Sequence, residues 1–121
     1  MRASVAQTKL AARVPTGVEV QVSEEFAVRL DEAVAYRVDN YGLRSARKLI
    51  DSVDAIRKLL VGSPLMGALV DSDAQATDTR PLRWVRVDSY IAIYRAGRDT
   101  QTLVLLTLFY VTSNWRRRVL G

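Results

Sequence analysis

The chain has 121 residues, with 18 lysines and arginines against 13 aspartates and glutamates, a formal charge of +5, and neither cysteine nor histidine. This length builds one domain with a real core but not two. Without cysteine there are no disulfides or thiolate metal sites, and without histidine the commonest metal ligand and general base is missing, so neither metal nor cofactor is expected.

No apolar run approaches the roughly 18 residues that span a bilayer, and Met1 to Thr16 holds no apolar core of a secretory signal. The expectation is a cytoplasmic protein that does not engage a membrane. Positive charge is concentrated near the end: residues 80–121 carry eight arginines against two aspartates, whereas 23–63 carry seven charges of each sign. Such a local excess suits an anionic partner, either nucleic acid or an acidic protein segment.

In chain order, residues 1–16 lack a sustained period and end at Pro15-Thr16-Gly17, which predicts a flexible extension before a domain over 17–121. Val18-Glu19-Val20-Gln21-Val22 alternates strictly and predicts a half-buried strand at or near a sheet edge. Ser23 then offers a helix cap, with Glu24 and Glu25 at the positive end of the dipole. Phe26, Leu30, Ala33, Val34 and Val38 form an apolar stripe through about Asn40, and Gly42 closes the helix. A second helix follows after a turn of two or three residues, with Ala46, Leu49, Ile50, Val53, Ile56 and Leu60 on one side. It stops at Gly62-Ser63-Pro64. The pair is expected to form an antiparallel hairpin that covers a sheet.

Leu65 to Arg80 is acidic and aperiodic, and predicts a mobile loop; its three aspartates match no calcium-loop spacing. Three strands follow, Leu82 to Val87, Tyr90 to Tyr94 and Thr102 to Tyr110, separated by Asp88-Ser89 and Ala96-Gly97-Arg98-Asp99. They predict an antiparallel meander whose last, almost continuously apolar strand is central and buried on both faces. The fold class expected is therefore α+β: a strand, a helical hairpin and a three-stranded meander, with the helices on one sheet face. The closing stretch joins Trp115 to Arg116, Arg117 and Arg118, an aromatic beside dense positive charge, suited either to nucleic acid or to plugging a core edge.

This order resembles the RelE/ParE superfamily of toxins from type II toxin–antitoxin and plasmid-stabilisation systems. Four stretches carry the resemblance: Val20 to Phe26 as a strand running into a capped helix, Ala46 to Gly67 ending in a Pro-x-x-Gly loop, Arg83 to Tyr94 as two strands, and Thr102 to Phe109 before a basic end. It implies a cognate antitoxin that wraps the toxin and holds it inactive. It also implies one of two actions: poisoning DNA gyrase, as ParE-like members do, or cleaving ribosome-bound mRNA, as RelE-like members do.

For metal-free cleavage the candidate residues are Arg83, Arg86, Tyr90 and Arg116, expected to line one concave face, with Tyr94 and Tyr110 as further acid groups. Ile91 stands where the family's strand carries an arginine, and no C-terminal histidine is present. Candidates for binding a target or nucleic acid are Arg95, Trp115, Arg116, Arg117 and Arg118. The hairpin and the Pro64/Gly67 loop look more like the ParE side, which favours a gyrase-binding growth inhibitor over an mRNA interferase. A non-toxic relative that binds nucleic acid is the third reading. Trp84 is expected in the core or against the antitoxin.

Overall fold

The computed structural model describes residues 18–71, 80–96 and 101–120. The expected extension over 1–16, most of the acidic loop and part of the second meander turn lie outside the described residues. The elements run β1 (Glu19–Val22), α1 (Glu24–Tyr41), α2 (Leu43–Gly62), β2 (Ala68–Leu69), β3 (Leu82–Val87), β4 (Tyr90–Arg95), β5 (Thr102–Tyr110) and α3 (Trp115–Leu120). Five strands make one sheet in the order β1-β5-β4-β3-β2, so the α+β class, the meander and the edge position of β1 are as the alternation indicates. β1 pairs with β5 in parallel: the hairpin carries the chain from β1 to β2 at the far edge, and the meander brings it back to β5. Among the described residues no helix is long and apolar enough to cross a membrane.

Ser23 fastens the first strand, the first helix and the last strand together. Its hydroxyl accepts from the Phe26 amide at 3.0 Å and donates to the Leu106 carbonyl at 2.7 Å. Leu106 is the extra residue at a bulge, since Ile93 pairs with Thr107 whereas Tyr94 pairs with Leu105. Ser23→Ala removes the cap and orphans that link, and is expected to lower unfolding free energy by about 1–2 kcal/mol. Urea denaturation checks this, with Ser23→Thr regaining most of the loss.

The bulge also decides which side chains share a face. Leu105 and Leu108, three apart, both join Phe26, Leu49, Val53 and Tyr94 in the core beneath the helices. Thr107 pairs with Ile93 and Phe109 with Ile91, on the opposite face. That second face forms a smaller core of Val70, Ile91, Ile93, Phe109 and Trp115, with Trp84 and Val119 packed against it. The stretch expected as a basic tail is thus a helix that covers this face: Trp115 is buried in it while Arg116, Arg117 and Arg118 point outward.

Other expectations are corrected. The helices are joined by Gly42 alone, at φ +97 and ψ 174, an extended positive-φ conformation that side chains resist. The strand buried across both faces is β4, where Ile91 to Tyr94 are all buried, because it occupies the middle of five strands. Ala68–Leu69, inside the stretch read as loop, adds a fifth strand to β3. In α1 the stripe turns at its end, so Arg37 is buried whereas Val38 is exposed, and in α2 Ile50 faces outward.

Candidate functional site

The four residues named for cleavage do not meet on one face. Arg83 and Tyr90 belong to the helix-covered side, whereas alternation along β3 puts Arg86 on the other, where α3 carries Arg116. Arg83 is buried, and its guanidinium donates to the carbonyls of Leu65 at 3.2 Å and Gly67 at 2.8 Å, fastening the loop before β2. Tyr94 is fully buried, and its hydroxyl accepts from the Gly67 amide at 2.8 Å, so it is not placed as an acid group on a concave face. Burial raises its pKa, opposed by that amide and by Arg83, so it stays a neutral phenol. Ile91, in the place of the arginine, is a buried member of the second core.

Arg86, Arg95, Trp115 and the three following arginines gather on the α3 side. Arg86 Nε donates to the Asp88 carbonyl at 2.9 Å, and Arg95 donates to the Arg80 carbonyl at 2.7 Å. Trp84 and Trp115 pack with ring centroids 5.4 Å apart, and the Arg116 guanidinium lies 4.8 Å from the Trp115 ring and 5.9 Å from Trp84. Arg118 from α3 and Arg29 from α1 both lie within 5.0 Å of the Phe109 ring centre. Trp115 therefore plugs the second core, as one of its two readings has it, with the Arg116 guanidinium lying over its ring. Arg117 and Arg118 remain exposed beside it.

A second concavity, not legible in the motif reading, lies at the closed end of the hairpin. The end of α1, the first turns of α2, the Asp88-Ser89 turn and the end of β5 border an open concavity of about 800 Å³, lined by Tyr36, Arg37, Tyr41, Arg44, Lys48, Asp88, Tyr90 and Tyr110 among others. Its floor is an ion pair: the Arg37 guanidinium donates to both carboxylate oxygens of Asp88 at 3.0 Å, and also to the Ser45 carbonyl at 3.2 Å. The hydrogen bond from Arg37 holds the Asp88 carboxyl below its usual pKa against the effect of burial. Burial raises the Tyr90 pKa, with Arg37, 5.8 Å from its ring centre, pulling the other way. Tyr36 meets Tyr41 and Tyr90 meets Tyr110 edge to face, at 6.2 and 5.5 Å. The available signal was Tyr36, an aromatic off the apolar stripe of an amphipathic helix, five residues before a second tyrosine at the helix end.

Among the described residues no cluster of three or more acidic groups is placed to hold a metal ion. No protein-family model matches the chain, and no curated protein sequence does. Solved structures do. A chain of the chromosomal ParDE TA system from P. aeruginosa superposes with a TM-score of 0.61 at 16% identity, covering 79% of this chain and 98% of that one. A chain of the archaeal RelE-RelB complex from Pyrococcus horikoshii OT3 superposes at 0.50 with 14% identity, covering 79% and 97%.

Proposed function

We propose that this chain, which has the RelE/ParE fold, is the toxin of a type II toxin–antitoxin pair, acting in the ParE manner by binding DNA gyrase and neutralised by a cognate antitoxin. The observation that carries the choice of action is the separation of Arg83 and Tyr90 from Arg86 and Arg116 by the sheet. Cleavage of an RNA strand needs a base, an acid and a phosphate clamp around one phosphodiester. Here Arg83 is committed to loop carbonyls, and Ile91 fills the place of the clamp. A binding action needs only a surface, and the α3 side offers exposed arginines anchored by aromatic rings.

The antitoxin reading is supported by apolar side chains left uncovered on the hairpin, among them Val28, Ile50 and Leu59. An amphipathic acidic segment that folds on binding would cover them and neutralise the basic face. The test is inducible expression in a bacterial host, followed by growth, transcript integrity and the DNA-damage response. Arrest with intact transcripts and induced damage is expected, together with loss of gyrase supercoiling when the purified protein is added. Arg117→Ala should weaken the arrest while leaving the fold in place, since its side chain is exposed; Arg116, which donates to the Val70 carbonyl at 3.3 Å, and Arg118, which packs on Phe109, need a melting control beside the growth assay. Fragmented transcripts without damage would replace this reading by the ribonuclease. Normal growth with abundant folded protein would replace it by a non-toxic nucleic-acid binder.

A further inference from the structure

We propose that the cavity at the closed end of the hairpin is a nucleotide site, taking a base against its tyrosine rings and a phosphate against Arg44 and Lys48. This assignment is independent of the action on gyrase, and it involves neither α3 nor the second core. The concavity is open to solvent on one side, and its volume of about 800 Å³ falls within the range of small-molecule sites.

The wall chemistry selects the ligand. Tyr36, Tyr41 and Tyr110 are each more than half exposed, so ring surface suited to stacking is open to solvent. Their hydroxyls add donors and acceptors for the edges of a base. Arg44 and Lys48 lie one turn apart on α2, both exposed, and among the described residues neither is in an ion pair. The cavity's one carboxylate, Asp88, is already engaged through both oxygens by Arg37, so it leaves little repulsion for an incoming phosphate.

The end of α1 and the start of α2 meet here, and their opposed dipole ends largely offset. The attraction therefore comes from the two side chains. A divalent cation does not suit a cavity with three basic groups and one neutralised acid. An acidic peptide would use the cations but leave the rings without a planar partner.

Calorimetric titration of the purified full chain tests this with four probes: AMP, inorganic phosphate, a six-nucleotide single-stranded oligoadenylate and an oligoglutamate peptide. AMP is expected to bind saturably with one site, at least about tenfold more tightly than phosphate, because stacking adds to charge. Arg44→Ala/Lys48→Ala and, separately, Tyr41→Ala should each weaken AMP by about tenfold, whereas Tyr41→Phe, which keeps the ring, should not. All three positions are exposed, and thermal melting confirms that the variants fold. Arg117→Ala, on the other sheet face, should leave AMP binding unchanged.

The oligonucleotide separates the two sources of the ligand. If it binds more tightly than AMP and loses that advantage with Arg44→Ala/Lys48→Ala, the site receives a strand; equal or weaker binding assigns a free nucleotide. Absence of saturable binding by both AMP and the oligoadenylate overturns the proposal. So does binding indifferent to Arg44→Ala/Lys48→Ala, or phosphate binding as tight as AMP. Tight binding of an oligoglutamate peptide with none of AMP would reassign the cavity to a protein partner.

Discussion

Gly67→Ala is expected to destabilise the protein by about 3 kcal/mol or more, at or above the upper end of what overpacking costs. A Cβ at this position would stand 2.6 Å from the Tyr94 hydroxyl and 2.8 Å from the Trp84 carbonyl oxygen, and neither can retreat. Tyr94 has no exposed surface, and the Trp84 oxygen belongs to a strand paired on both sides. The same glycine donates its amide to Tyr94 and lends its carbonyl to Arg83, so any displacement loosens three buried groups together. Tyr94→Phe alone should cost about 1–3 kcal/mol, the penalty of orphaning the Gly67 amide.

The double variant should remain nearly as unstable as Gly67→Ala, because the ring edge at 2.7 Å and the Trp84 oxygen persist. Guanidinium unfolding monitored by tryptophan fluorescence measures all three. A Gly67→Ala midpoint equal to that of the parent would refute the close approach. The same geometry bears on any Arg83 variant. Arg83 fastens this loop, so its replacement reports on folding before it reports on chemistry.

Breaking the Arg37–Asp88 pair is the second large effect. The two side chains are only 11% and 13% exposed, and removing one leaves its partner charged and largely desolvated. Arg37→Leu should therefore cost about 3 kcal/mol. Asp88 itself has φ +58, a backbone conformation that asparagine tolerates and alanine resists. Asp88→Asn thus isolates the charge, while Asp88→Ala should cost about 1 kcal/mol more through strain.

The pH dependence has a definite sign. Arg37 lowers the folded pKa of Asp88, so the pair's contribution is fully present above the ordinary carboxylate value and disappears as pH falls through the lowered one. The parent should lose stability below about pH 4 relative to Asp88→Asn, and the two curves should converge as Asp88 takes up its proton. Curves that stay parallel across that range would show that the pair contributes nothing. Since Arg37 and Asp88 floor the tyrosine-lined cavity, these variants should also disturb whatever binds there.

What was legible in the sequence was local. Ser23 before two glutamates, Gly42 after the stripe, and the alternation of Val18 to Val22 and of Leu82 to Val87 each specify a cap, a break or a strand through neighbours a few residues away. Those elements in that order were enough to suggest the fold. The candidate site was less legible, because membership of a face depends on pairing as well as on alternation. Arg83 and Arg86 differ by three positions and so face opposite ways on one strand, and the bulge at Leu106 reverses the parity of everything after it on β5.

The sequence by itself determined the first strand, the helical hairpin, the antiparallel meander and the concentration of arginine from residue 80 onward. Only the tertiary structure decided the parallel pairing of β1 with β5, the placement of α3 over a second core and the burial of Arg37 against Asp88. It also brought tyrosines from three elements around one cavity. The physical reason is range: periodicity and capping are settled within a turn or two of chain. A contact between residues 37 and 88, or between 23 and 106, exists only once the intervening chain has packed.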